Sequence, residues 1–180
     1  MQKDENNLAY IDGANLHRGV DSLNWQLDYF RFRVWLSEKY SIKRAYIFLG
    51  LVAQYKNLYT YLQEAGFTLI FKETVYDGNG KVKGNCDASL VLKATVDFYE
   101  KNFNKAVIIS SDGDYAELID FLKNKDALQI VISPSNKCSY LLRKQNIPIL
   151  YLDTQRGKLE LGAGKEKAPD ADETATGSSS

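Results

Sequence analysis

The chain has 180 residues, 44% of them hydrophobic and 12% aromatic, enough apolar side chain to fill one sizeable core, so a single α/β domain is the expectation. Two cysteines and one histidine cannot assemble a Cys/His zinc site, and no apolar run is long enough to span a bilayer. The formal charge is zero, but the last 18 residues carry two lysines against four acids, which leaves 21 basic and 19 acidic side chains in residues 1–162 and a weakly basic folded part. The start, MQKDENN, is polar and acidic where a secretory signal needs a basic and then an apolar stretch. A cytoplasmic protein without membrane association is therefore expected, with Cys86 and Cys138 as free thiols.

In chain order, LAYID (8–12) is a short apolar run that ends in an acid at the turn pair Asp12-Gly13, and it reads as a buried strand. Residues 28–40 predict a helix with Phe30, Val34 and either Trp35 or Leu36 on its apolar face, and RAYIFLG (44–50) a second strand. A helix over 53–66 places Tyr55, Leu58, Tyr59 and Leu62 on one side and stops at Gly66 before a third strand, FTLIFKETV (67–75). YDGNGKVKGNCD (76–87) has three glycines and two lysines, the composition of an exposed flap with a short returning extended piece.

From Asp87 a helix carries Leu90, Val91, Ala94 and Phe98 as its stripe, and KAVIISS (105–111) is a strongly apolar fourth strand. A helix over 114–125, a fifth strand over 128–133, a short helix over 136–144 and a sixth strand over 147–152 complete the pattern. Pro148 suits that last strand to an edge. Beyond Leu161 apolar anchors cease, so residues 1–161 are expected to be the domain and 162–180 a disordered tail. Strands alternating with helices at this spacing imply a mainly parallel, doubly wound sheet in a three-layer α/β/α arrangement.

In such a sheet the chain reverses its direction of travel between the first and fourth strands and opens a crevice at their carboxyl ends. Asp12 and Asp112 end those two strands. Asp114 begins the helix that leaves the fourth strand, and Asp87 lies in the first turn of the helix that precedes it. Each has a local explanation: turn acids at Asp12-Gly13 and Asp112-Gly113, an N-cap for Asp114 with Glu117, a helix-dipole partner for Asp87. Those explanations leave unsaid why all four fall at one rim. Carboxylates ~4 Å apart repel by ~4 kcal/mol at an effective dielectric near 20, so a cluster takes up protons or recruits a cation. Oxygen-only ligands suit Mg²⁺ or Mn²⁺, which supports phosphodiester hydrolysis without a catalytic histidine or cysteine. Asn15 can orient a ligand or a phosphate oxygen, or act as a helix-start residue; Ser110 and Ser111 can donate to the acids or to substrate, or cap backbone groups.

YIDGANL (10–16), KVKGNCDASL (81–90) and ISSDGDY (109–115), in that order and spacing, resemble the NYN domain of the PIN-like nuclease superfamily, in particular its LabA-like branch, over roughly residues 8–152. The resemblance implies a PIN-like fold and a metal-dependent ribonuclease centre with its acids at Asp12, Asp87, Asp112 and Asp114, and it matches Asn15 to an asparagine after the first acid. Ser111 stands where glycine is frequent and Tyr115 where phenylalanine is common. Lys93 occupies a position where many relatives carry a further acid, so it either weakens a second metal site or contacts phosphate.

RNA is the expected partner, with Lys81, Lys83, Arg18 and His17 on the side of the acids to hold its backbone, and Tyr76 and Tyr115 as the candidates for base stacking. Self-association is left open by the sequence. The alternative is a catalytically weak RNA-binding or regulatory module of the same family. A phosphatase is disfavoured because Gly13, Ala14 and Asn15 follow Asp12 without a second acid, and a receiver domain because the third strand lacks a phosphoacceptor.

Overall fold

The structure, a computed structural model, describes residues 5–73, 75–76, 78, 82–83, 86–162 and 168–169, apart from the side chains of residues 75, 76, 82 and 83. Its centre is a six-stranded sheet built from β1 (Asn7–Asp12), β2 (Ile42–Gly50), β3 (Thr68–Lys72), β6 (Ala106–Ile109), β7 (Leu128–Ser133) and β8 (Ile149–Tyr151). Their order across the sheet is β3-β2-β1-β6-β7-β8. Every neighbouring pair is parallel. The chain thus winds outward from β1 to β3, returns to the centre and winds outward the other way, which leaves the crevice between β1 and β6.

β1 and β6 are buried along their whole length, as expected for central strands covered on both faces. Alternation sorts their side chains into two cores. Ala9, Ile11, Val107 and Ile109 join Leu16 and Val20 of α1 (Gly13–Asp21), Phe32 and Leu36 of α2 (Tyr29–Tyr40) and Leu62 of α3 (Lys56–Glu64). Leu8, Tyr10, Ala106 and Ile108 join Leu90 and Ala94 of α4 (Asp87–Tyr99), Leu118 and Leu122 of α5 (Ala116–Asn124) and Leu142 of α6 (Tyr140–Arg143). The result is a three-layer α/β/α fold, and the period of two carries the strand-end side chains to known sides: Asp12 and Ser110 follow Tyr10 and Ile108 towards α4 and α5, Ser111 follows Ile109 towards α1.

Several local features differ from the sequence reading. α1 begins at Gly13, directly after β1, where only a turn was expected. In α2 the buried side chains are Phe32, Trp35, Leu36 and Tyr40, whereas Phe30 and Val34 are 44% and 54% exposed. The helix holds more aromatic residues than one stripe can bury, so Phe32 and Trp35 stack inside while Phe30 meets Tyr61 edge-on outside. The third strand stops at Lys72, and β4 (Val75–Tyr76) pairs antiparallel with β5 (Val82–Lys83) as the returning piece. A 3₁₀ turn, Gly113–Tyr115, precedes α5, and its cap is Asp112 in place of Asp114. A 3₁₀ turn over Leu152–Gln155 and α7 (Arg156–Leu159) close the described chain beyond β8. No helix among the described residues is long and apolar enough to cross a membrane.

Candidate active site

Asp12 is the last residue of β1 and the N-cap of α1, with its Oδ1 accepting from the Asn15 N–H at 3.0 Å. Gly13 is required next to it. A Cβ there would lie 2.4 Å from Leu49 Cδ2 and 2.9 Å from the Phe48 carbonyl oxygen, so only glycine lets α1 start this close to β2. Asp12 is 7% exposed, and its carboxyl is held above its ordinary value. Burial is the largest cause, with the Asp87 charge adding to it, against the opposing Asn15 N–H, Tyr115 hydroxyl and Arg18 charge.

The second oxygen of Asp12, Oδ2, lies 3.1 Å from the Tyr115 hydroxyl, which lies 2.6 Å from Asp87 Oδ1. Asp12 and Asp87 come from β1 and the first turn of α4, so the sheet and one helix bring these two acids to one phenol. Two such charges ~5 Å apart repel by ~3 kcal/mol at an effective dielectric near 20. The single hydroxyl proton cannot serve both carboxylates at once, and Asp87 Oδ1 is the nearer acceptor.

Asp112 and Asp114 are placed differently. The Asp112 carboxylate accepts from the Asp114 N–H at 3.1 Å and its own N–H donates to Ser110 Oγ at 3.1 Å. Asp114 is exposed. Among the described residues no three His, Cys, Asp or Glu side chains stand close enough together to hold a metal ion as they are oriented. The donor chemistry nevertheless fits a hard cation: Asp12 and Asp87 offer carboxylate oxygens to one hydroxyl, and Asp112 and Asp114 are further oxygen donors in the turn that follows β6 and carries that hydroxyl.

Asn15 and Ser111 are also brought together. Asn15 Oδ1 accepts from the Ser111 N–H at 2.9 Å and from its hydroxyl at 3.0 Å, and since the backbone group can only donate, the amide oxygen must face Ser111. This bond ties α1 to the loop that carries Asp112. Gly113 keeps the same loop against the segment before α6: a Cβ would lie 2.5 Å from Ser139 Oγ, and the Ser139 N–H donates to the Ser111 carbonyl at 2.9 Å. Arg18 and His17 are exposed on α1, with the Arg18 Nε donating to the Ala14 carbonyl at 3.2 Å. Lys93 is not brought to the acid pair. Its ammonium lies 2.6 Å from Asp97 and 4.9 Å from the centre of the Tyr46 ring, in a polar cleft of about 340 Å³ lined also by Asn6 and Asn102. Lys81 lies outside the described residues, as do the side chains of Lys83 and Tyr76.

The stacking role expected of Tyr115 is corrected by the structure, and Cys86 and Lys72 went unread in the sequence. Tyr115 is fully buried with its ring in the α4/α5 core, so it cannot stack on a base; its role is through the hydroxyl. Cys86 precedes Asp87 and its thiol is pushed up to about 11, first by burial and then by the charges of Asp12 and Asp87, with Lys72 opposing. It stays a protonated thiol beside the acids and is no nucleophile at neutral pH. Lys72, the last residue of β3, is thereby the cation that this rim shares with Arg18; the signal for it was its place at a strand's carboxyl end. An apolar groove of about 390 Å³ between α1 and α3 has none of the four acids in its lining.

With this geometry in place, the likenesses to known proteins have a clear meaning. A crystal structure of a protein of unknown function from Vibrio parahaemolyticus superposes with a TM-score of 0.71 over 89% of this chain and 100% of that one, at 18% identity, a likeness of fold. A mutant of the T5 5′-exonuclease overlaps at a TM-score of 0.41 and 17% identity, over 84% of this chain and 56% of that one, too low to say anything of function. No curated protein matches the sequence. The NYN domain model matches residues 8–150, from the start of β1 into β8, and the chain belongs to the NYN domain family of the PIN-like nuclease superfamily.

Proposed function

We propose that the protein is a metal-dependent ribonuclease of the LabA-like branch, acting on single-stranded or structured RNA with Mg²⁺ or Mn²⁺ held by Asp12, Asp87, Asp112 and Asp114. Family membership suggests a nuclease-type activity. The observation that carries the finer reading is the meeting of Asp12 and Asp87, 75 positions apart in sequence, within reach of one buried hydroxyl at the crevice between β1 and β6. Carboxylates gathered at a rim with no histidine serve hydrolysis best as ligands of a hard cation.

When bound, the cation would supply charge neutralisation at the scissile phosphate and a water acidified towards neutral pH. The chain's own residues do the rest. Asn15 and Ser111 hold the loop that carries Asp112, three residues beyond the end of β6, on α1. Ser110 fixes the Asp112 backbone. Arg18 on α1, with Lys81 and Lys83 of the flap, would take the phosphates on either side of the cleaved bond. Residues 1–161 form the nuclease domain in this reading, and 162–180 a tail of which Ala168 and Pro169 line the groove between α1 and α3.

The second reading, an RNA-binding or regulatory module with little chemistry, is favoured by one observation: the Asp112 carboxylate is engaged in capping its own turn and no three candidate ligands converge among the described residues. Cleavage of end-labelled RNA with Mn²⁺ separates the two. The wild type should cleave, chelation should stop it, and Asp112→Asn should lower the rate by at least about 100-fold, the scale of losing one group that stabilises the transition state. RNA binding without cleavage, unchanged by Asp112→Asn, would favour the regulatory module. Equal cleavage by both proteins would trace to a contaminant and remove the nuclease.

A further inference from the structure

The ring of Tyr115 is fully buried in the core that also holds Leu90, Ala94, Leu118 and Ile119, a setting that phenylalanine would fill equally well. Packing alone therefore gives no reason for the hydroxyl. A phenol buried without an acceptor would be costly, and this one lies within hydrogen-bond distance of two: Asp87 Oδ1 at 2.6 Å and Asp12 Oδ2 at 3.1 Å. The two oxygens are consequently no more than about 5.7 Å apart, the sum of those distances. An ion of the Mg²⁺ class asks for oxygens at ~2.1 Å, so a pair within ~4.2 Å of each other can share it. Small side-chain rotations cover the difference. Asp12 has its Oδ1 fixed by the Asn15 N–H, so that carboxylate is oriented before any ligand arrives even while the hydroxyl proton rests on Asp87.

We propose that Tyr115 is a positioning residue whose hydroxyl sets Asp12 and Asp87 as a preformed pair of oxygen ligands for a divalent cation. The inference rests on the reading of those acids as cation ligands. Without the hydroxyl, like charge drives the two carboxylates apart, and a cation has to gather them against that repulsion. With it, their separation is set by the fold: β1 delivers one acid, α4 the other, and the 3₁₀ turn after β6 delivers the phenol between them. The role is one of affinity. Once the cation is in place it holds both acids itself, and Tyr115 has no further part in the reaction.

The test is Mn²⁺ binding to wild type and Tyr115→Phe, read from the electron paramagnetic resonance of the free ion and independent of catalysis. Loss of one charge-assisted hydrogen bond predicts a Kd weaker by roughly tenfold. The Mn²⁺ concentration for half-maximal RNA cleavage should rise in parallel, while the rate at saturating Mn²⁺ stays within about twofold of wild type. A merely structural hydroxyl would lower the thermal midpoint and leave both Mn²⁺ quantities alone. Wild type that binds Mn²⁺ and Tyr115→Phe that binds it equally or more tightly would overturn the positioning role while leaving the nuclease reading intact. Wild type that binds no Mn²⁺ at millimolar concentration would overturn both. A measurement free of substitution stands beside it: in wild-type crystals holding Mn²⁺, the Tyr115 hydroxyl should remain within hydrogen-bond distance of Asp12 and Asp87, and its withdrawal from both would overturn the role.

Discussion

Two buried aspartates in this protein carry opposite shifts, and the contrast separates a site from a strut. Asp97 is 1% exposed; burial, the largest influence, pushes its carboxyl up, but bonds from Lys93 (2.6 Å), Asn102 (2.9 Å) and Tyr10 (2.8 Å) together bring it below the ordinary value. Asp12 has fewer donors and a neighbouring acid, and stays above the ordinary value. A lowered carboxyl stabilises the fold above its unfolded value and loses that contribution as pH falls through the folded one; a raised carboxyl has the reverse sign. Asp97→Asn should therefore lower stability at neutral pH by about 2 kcal/mol, less than a fully buried pair because Lys93 is partly wet, or roughly 4–8 °C in thermal midpoint. The deficit should shrink only well below pH 4. Asp12→Asn should instead raise the midpoint of the metal-free protein at neutral pH, with the gain fading as pH falls towards 3.8, where Asp12 itself is protonated. Thermal melts of the three proteins between pH 3 and 8 check both signs. A residue whose native form costs stability is the kind retained for what it binds.

At the scale of elements, the junction of β1 and α1 is the tightest place in the fold. Gly13→Ala should cost about 1–3 kcal/mol, because the Phe48 carbonyl and the branched Ile47 side chain leave the new methyl no room, and it should depress RNA cleavage by displacing Asp12. Chemical denaturation and the cleavage assay together check it; a Gly13→Ala protein of wild-type stability would show that α1 can pivot. The strands were legible in the sequence because each is a short apolar run bounded by glycine, acid or proline, and the central ones are buried on both faces. α1 was not, because it starts at a glycine, a poor helix former, and only Leu16 and Val20 mark its apolar side. The face of α2 was misread for another reason: with Tyr29, Phe30, Phe32, Trp35 and Tyr40 in 12 residues, periodicity cannot say which aromatic side chains the core accepts.

For the whole molecule, the sheet order makes the site. The reversal between the first and fourth strands was readable from the alternation of elements, and β1 and β6 are neighbours as expected; Asp12 ends its strand, whereas β6 ends at Ile109 and Asp112 lies three residues beyond it. What lay beyond the sequence was the aim of each side chain. Asp112 finds a donor two residues on, a local bond that competes with convergence, whereas Asp87 is joined to Asp12 through Tyr115, 28 positions later, which no local pattern reveals. Lys93 shows the same limit, since its partner is Asp97 one helical turn away and not the acid pair. The central claim is that a cation gathers carboxylates that the fold alone brings together only in part. Crystals grown with Mn²⁺ and measured at its absorption edge test this most directly. An anomalous peak bonded to carboxylate oxygens of Asp12 and Asp87, with Asp112 or Asp114 turned in to join them, is the predicted result; a saturated crystal with no peak between β1 and β6 would contradict it.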